Sequence, residues 1–103
     1  MIKRIWRGWT NADRADAYES LLTGTIVPRI ERRNIEGIRS TELLRRSSSD
    51  QKEVEFMTIM TFDNWAAVEE FAGPDPNAAV VPESARRLLK RFDHQSTHYE
   101  QIG

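Results

Sequence analysis

Two histidines, His94 and His98, are the side chains of this sequence best suited to accept a proton at neutral pH. They lie four residues apart in a segment that we predict to be a strand, so both should point to one face, about 13 Å apart. That separation is too large for shared metal binding, because donor atoms lie about 2 Å from a bound ion. We therefore predict no metal site. Each histidine is a candidate general base, and the alternative for each is a structural, hydrogen-bonded role.

The sequence contains three tryptophans, Trp6, Trp9 and Trp65. They either pack in the core and at interfaces or form a wall on which a flat aromatic ligand stacks. Oxidation without a cofactor requires a dry pocket, a base that generates an electron-rich anion and donors that stabilise an oxyanion. The residues that we predict for such a pocket are Trp6, Tyr18, Met60, Trp65 and His98.

Two arginines, Arg4 and Arg7, lie on the first predicted strand among apolar residues. A charge on a covered strand requires a partner, and Glu53, Glu55 and Glu100 on neighbouring predicted strands are candidates. Alternatively, an arginine that faces a cavity binds the carboxylate or phenolate of a ligand. We therefore count Arg4 among the candidate substrate-binding residues.

The composition excludes several other classes of protein. The chain has 103 residues, no cysteine and a formal net charge of -1, which predicts one domain over residues 1–103 and no nucleic-acid partner. Disulfides, thiolate metal sites and glycine-rich phosphate loops are absent from the sequence. No apolar run approaches the roughly 20 residues that span a bilayer. Met1 leads directly into a strand-like sequence, so we expect no signal peptide, no membrane association and a cytoplasmic location.

The charges are unevenly distributed along the chain. Residues 1–46 carry 10 basic and 6 acidic groups, whereas residues 47–103 carry 5 basic and 10 acidic groups. We expect the two halves to lie against each other and neutralise, and the alternative is a charged docking face.

Hydrophobic periodicity predicts the element order β-α-β-β-α-β. Strands are predicted over residues 2–9, 38–46, 53–62 and 92–102, with a turn at 47–52. Helices are predicted from Thr10 to a left-handed end near Asn34, from Asn64 to Gly73, and over 83–91. Pro28 cannot donate to Gly24, which predicts a kink near Thr25. This order is typical of the ferredoxin-like split βαβ fold, an α+β fold with a four-stranded antiparallel sheet and helices on one face.

The strand predicted over 53–62 is apolar on both faces from Phe56 onward. Such a strand is central and covered on both sides. Because the predicted helices cover only one face of the sheet, the other face needs a partner. We therefore expect a homodimer that packs sheet against sheet.

Several segments together resemble the dimeric α+β barrel superfamily, and in particular the antibiotic-biosynthesis-monooxygenase-like domains. They are the short first strand, a helix around Tyr18–Ile30, the turn Glu36-Gly37, and Thr61-Phe62-Asp63-Asn64-Trp65 running into Val68-Glu69-Glu70-Phe71. The resemblance covers essentially the whole chain. It implies a barrel built from the sheets of two subunits, with a ligand cavity between sheet and helices in each subunit.

The same resemblance has implications for the function. The family includes cofactor-free oxygenases of phenolic polyketides, haem-degrading enzymes and proteins without known activity. The haem-degrading branch uses an Asn, a Trp and a His at positions where this chain has Trp6 to Trp9, Phe71 and Val80-Val81. We therefore expect no haem or other cofactor. The resemblance implies a cofactor-free oxygenase of small aromatic or phenolic compounds, and the alternatives are a non-catalytic ligand-binding or stress-associated dimer and a purely structural interaction module.

Overall fold

A computed structural model describes residues 1–47 and 52–103, so most of the turn predicted at 47–52 lies outside the described residues. The described strands are β1 (Ile2–Asn11), β2 (Ile38–Arg45), β3 (Glu53–Phe62), β4 (Leu89–Phe92) and β5 (Thr97–Glu100). The described α-helices are α1 (Ala15–Leu21), α2 (Val27–Arg32), α3 (Trp65–Ala72) and α4 (Glu83–Arg86). None of these helices is long and apolar enough to cross a membrane. The predicted α+β class is confirmed.

All strand pairs in the sheet are antiparallel, in the order β2-β3-β1-β4, and β5 also pairs with β1. Of the strand predicted over 92–102, only Phe92, which ends β4, and Thr97–Glu100, which form β5, are strand residues. β4 begins within the predicted helix over 83–91, and β4 and β5 share one edge of β1. β4 pairs with Gly8–Thr10, and β5 pairs with Ile2–Ile5. Between them the backbone turns aside, because the amide of Ser96 donates to the carbonyl of Asn77 at 2.8 Å.

Two predicted helix boundaries are wrong for the same reason, namely that strand pairing extends further than local periodicity indicates. Thr10 is buried within β1, and the first helix begins at Ala15 after a 3-10 turn. The helix predicted over 83–91 ends at Arg86, because Leu89 already pairs with Thr10. The kink predicted near Thr25 corresponds to a π-helical segment, Leu22–Ile26, between α1 and α2.

Local signals at the other helix ends are also confirmed. The Asn64 side chain accepts a hydrogen bond from the Ala67 amide at 3.0 Å and caps α3, which ends at Gly73 with a φ of 86°. Gly37 has a φ of 90°, and a Cβ there would lie 2.8 Å from the Cβ of Ala67. Glycine therefore allows the turn before β2 to pack closely on α3.

The helices pack on one face of the sheet, which we call the covered face. Side chains of α1 join one buried cluster with β3, and side chains of α3 join a second one with β1 and β3. The β-strand residues of these clusters are Ile2, Val54, Phe56, Met60 and Phe62. The opposite face, which we call the bare face, carries the alternate side chains, and these belong to neither cluster. They include Ile5, Trp9, Leu44, Met57, Ile59 and Tyr99.

Ion pairs on the surface join the two oppositely charged halves of the chain only in part. Arg7 pairs with Asp93 across the halves, at 3.2 Å, whereas Arg91 pairs with Glu53 within the second half, at 3.1 Å. Water and salt screen pairs as exposed as these, so they add little to the stability of the fold.

Candidate functional site

A cavity lies between the covered face and the helical segment from α1 to α2, and residues 80–82 close one side of it. The space amounts to about 590 Å³ when its opening to solvent is included, and the centre of a water-sized molecule can occupy about 70 Å³ of it. Four of the residues predicted from the sequence line it, namely Arg4, Trp6, Tyr18 and Met60. The predicted residues Trp65, His94 and His98 are not among its lining residues. Sequence reasoning missed others that line it, such as Leu22, Thr58, Phe71 and Ser96.

Strand alternation brings the first group together. Arg4 lies opposite Met60 in the β1–β3 pairing, and Trp6 lies opposite Thr58. The side chains of these four strand residues therefore all face the helices. Tyr18 reaches the same space from α1, where its ring packs edge-on against Phe56 with centroids 4.9 Å apart. The pairing of two strands could have identified Thr58 once the register was known, but the register itself depends on tertiary structure.

Trp6 forms one wall of the cavity with its polar atom already satisfied. Its indole Nε1 donates to the backbone carbonyl of Asp93 at 2.7 Å. The neighbouring Gly8 leaves room for the ring, because a Cβ at that position would lie 2.9 Å from both the Trp6 ring and the Leu89 side chain. The orientation of Trp6 is therefore fixed by a hydrogen bond and by packing, which preorganises the wall.

Arg4 is a buried cation, with 4% of its surface exposed. Its guanidinium donates to the carbonyls of Pro76 and Ala78, the latter at 2.9 Å, and lies 3.0 Å from Nε2 of His98. It also lies over the ring of Phe71, 5.5 Å from the centroid. Burial lowers the pKa of Arg4 from its ordinary value.

The carboxylate partners predicted for the β1 arginines are not the ones found. Arg4 pairs with no carboxylate among the described residues, and Arg7 pairs with Asp93. Glu53 instead pairs with Arg91, and Glu55 with Arg46. Of the two alternatives for Arg4, the structure shows a side chain that borders the cavity.

His98 lies beside Arg4 in the β1–β5 pairing. Because a guanidinium only donates, the Nε2 atom of His98 accepts and its Nδ1 atom carries the proton. That Nδ1 atom is buried without a hydrogen-bond partner among the described residues. Burial, and then the charge of Arg4, lower the pKa of His98. The imidazole is therefore neutral at neutral pH, and its ring contacts Trp65 with centroids 5.0 Å apart.

His94 occupies a different environment from His98. It is exposed, lies between β4 and β5, and its ring contacts Phe92 with centroids 5.2 Å apart. The two histidines therefore do not share one strand, which corrects the geometry predicted for them. No group of three or more His, Asp or Glu side chains suited to a metal is found among residues 1–47 and 52–103.

Tyr18 supplies a hydroxyl group to a largely apolar space. The residue is 1% exposed, and no hydrogen bond joins its hydroxyl to the described residues. Burial raises the pKa of Tyr18 well above its ordinary value, so the phenol stays protonated. It can therefore donate a hydrogen bond to an oxygen of a bound molecule.

Comparisons with known proteins establish the fold. No family model and no curated protein matches the chain. Among solved structures, it is similar to an antibiotic biosynthesis monooxygenase, with a TM-score of 0.66 and 14% identity over 100% of both chains. It is also similar to HapK from Hahella chejuensis, with a TM-score of 0.65 and 17% identity over 100% of this chain and 94% of that one. Protein SO0527 from Shewanella oneidensis matches with a TM-score of 0.64 and 20% identity, over 97% of this chain and 89% of that one.

Identities at this level carry information about the fold alone. The agreement nevertheless extends over nearly the full length of each chain, including the segments on which the sequence resemblance rests. The chain therefore has the ferredoxin-like α+β fold of antibiotic-biosynthesis-monooxygenase-like structures.

Proposed function

We propose that this protein binds a small, mainly apolar aromatic compound in the cavity between its sheet and helices. The observation that carries the proposal is the lining of the cavity, where aromatic and aliphatic side chains surround a few polar groups. Trp6, Tyr18 and Phe71 provide aromatic surfaces, and such a mixture is typical of small-molecule sites. A solved structure with the same fold is described as an antibiotic biosynthesis monooxygenase, which is consistent with this class of ligand.

The reaction that we propose is oxygenation of a phenolic compound by dioxygen without a cofactor. One oxygen atom becomes bonded to a ring carbon as a carbonyl oxygen. The other leaves as water with the one hydrogen of that carbon and the hydrogen of the phenol hydroxyl, so the product is a quinone. The substrate itself supplies the electrons, so no external reductant is needed. We expect the Tyr18 hydroxyl to donate a hydrogen bond to the oxyanion that forms, and the bound compound to displace water from the apolar walls.

A specific observation favours a second candidate, a non-catalytic ligand-binding protein of the same fold. Neither His94 nor His98 lines the cavity, and Nε2 of His98 already accepts from Arg4. For His98 to take a proton from a ligand, the contact between Nε2 and Arg4 has to open first. A protein without a base beside its ligand binds it but does not activate it.

Oxygen uptake and thermal stabilisation, measured with a panel of hydroquinones and phenolic polyketides, separate these candidates. Saturable uptake above the uncatalysed rate supports the oxygenase, and stabilisation without uptake supports the binding protein. The matched variants are Thr58→Trp, which fills the cavity, and Arg29→Trp, at an exposed position on α2 that does not line the cavity. The former should remove both signals and the latter should retain them. Absence of both signals in the wild type would contradict both candidates.

We further propose that the functional form is a homodimer that packs through the bare face. Ile5, Met57 and Ile59 lie there on the two central strands and are only partly buried. Leu44 and Tyr99, on the flanking strands, are 46% and 54% exposed. A second copy of the chain would remove this apolar area from water, which stabilises the assembly by about 25 cal/mol for each Å² buried.

A further inference from the structure

Arg4 is unusual because it is a buried charge that borders the cavity. It lies at the middle of the sheet, yet only 4% of its surface is exposed. Buried guanidinium groups ordinarily pair with a carboxylate, because removing an uncompensated charge from water is costly. Here the partners among the described residues are two backbone carbonyls and one neutral imidazole, which carry no formal charge. The positive charge is therefore solvated but not neutralised.

The contacts of Arg4 fix its orientation and leave part of its donor capacity unused. A guanidinium has five N–H groups. One terminal nitrogen contacts Pro76 and His98, and the other contacts Ala78, which accounts for three acceptors. The ring of Phe71 lies on one face of the group. Both Arg4 and Phe71 line the cavity, so the guanidinium is held beside a lining residue of a space bordered mostly by apolar side chains.

We infer that Arg4 is an anion-binding subsite of the cavity and that the natural ligand carries an ionised oxygen group, a carboxylate or a phenolate. This inference rests on the proposed function, since it specifies the class of aromatic compound that the cavity accepts. A ligand anion would supply the charge that the protein does not provide, through charge-assisted hydrogen bonds in a site of low polarity. A neutral aromatic compound of the same shape would leave the Arg4 charge uncompensated.

Matched pairs of probes test the inference in the wild-type protein. One pair is 2-naphthoate and its neutral amide, 2-naphthamide. The other is 2,4-dinitro-1-naphthol, ionised at pH 7.5, and its methyl ether. In calorimetric titrations at that pH, at least one anion should bind about 10- to 100-fold more tightly than its neutral counterpart. The pair that shows the difference identifies the ligand group as a carboxylate or a phenolate.

Variants at Arg4 then locate the effect. Arg4→Gln should remove the preference for the anion while retaining the affinity for the neutral probe, and Arg4→Lys should retain part of the preference. Arg29→Gln, at an exposed position on α2, is the control and should behave like the wild type. Circular dichroism of each variant verifies its fold, and the wild-type comparison stands even if Arg4→Gln does not fold.

The outcomes separate this inference from the proposed function. If both members of each pair bind equally, the cavity accepts aromatic compounds but Arg4 is only structural, which overturns the inference alone. An anion preference that survives in a folded Arg4→Gln also overturns the inference alone. If none of the four probes binds, the proposed function and the inference both fail.

Discussion

The two faces of the sheet differ although their strands are similarly apolar. On β3, Phe56 and Met60 are buried beneath the helices, whereas Met57 and Ile59, which alternate with them, are only partly buried on the bare face. The pattern of apolar residues predicts that both faces avoid water. It does not tell which face the chain covers by itself and which one requires a second molecule.

The two arginines of β1 also differ between the faces, in their burial and in their partners. Arg4 lies on the covered face, buried, with carbonyls and His98 as partners. Arg7 lies on the bare face with 47% of its side chain exposed, where it pairs with Asp93 and lies 5.3 Å from the Trp9 ring. The covered face therefore holds a buried charge without a carboxylate partner, whereas the bare face holds an exposed charge that is paired.

Truncating the covered face should have the largest effect. Phe56→Ala removes a ring that packs against Tyr18, and it should lower the free energy of unfolding by about 3–5 kcal/mol. Met57→Ala, one residue further along the chain, should cost about 1 kcal/mol or less at low protein concentration. Urea denaturation measures both. Equal losses would show that the two faces do not differ as described.

A charge on the bare face should disrupt the proposed dimer. Ile59→Glu places an unpaired carboxylate in the interface, which should weaken association by about 100-fold or more. In sedimentation equilibrium at micromolar concentration, the wild type should have twice the 12.0 kDa mass of the chain, and the variant should have a mass near 12.0 kDa.

The control for this experiment is Arg29→Glu, on an exposed part of α2 away from the sheet, which should remain dimeric. A wild-type mass of 12.0 kDa would refute the dimer.

Acidification should destabilise the covered face through His98. An unfolded chain binds a proton at this residue near pH 6.5, but the folded protein does so only at lower pH, because the pKa of His98 is lowered. The stability that its neutral form provides above about pH 6.5 is therefore lost as the pH falls, by less than about 1.4 kcal/mol per pH unit.

His98→Gln, which keeps an acceptor for Arg4, should reduce this slope in denaturation experiments between pH 7 and 5. His94→Gln, in the exposed segment between β4 and β5, should retain the wild-type profile. If the pH dependence of the free energy of unfolding is unchanged in His98→Gln, protonation of His98 does not destabilise the covered face.

Removing the hydroxyl of Tyr18 should have the smallest effect. Tyr18→Phe should change the free energy of unfolding by less than about 1 kcal/mol, since this hydroxyl has no hydrogen-bond partner among residues 1–47 and 52–103. Binding of a phenolic ligand, measured by calorimetry, should weaken by about 2- to 10-fold. Affinity equal to that of the wild type would show that Tyr18 only packs.

The sequence alone determined the features that depend on neighbouring residues. The side-chain oxygen of Asn64 accepts from the Ala67 amide and caps α3, and Gly73 ends this helix. Pro28 follows a distorted helical turn because it lacks an N–H group. Strand alternation also placed Arg4 and Trp6 on the same face. With the element order and the resemblance to known domains, these local rules were sufficient to predict the fold class and four residues of the cavity.

Only the tertiary structure decided which partners distant residues acquire. Residues 94–96, predicted as part of the last strand, pair instead with the segment that contains Asn77, and this separates His94 from His98. Arg4 is held by carbonyls more than 70 residues away in place of the predicted carboxylates. Such contacts depend on where the chain returns in space, which residue type and periodicity do not encode. For Arg4, the sequence left two interpretations open, and the tertiary contacts show a buried charge that borders the cavity.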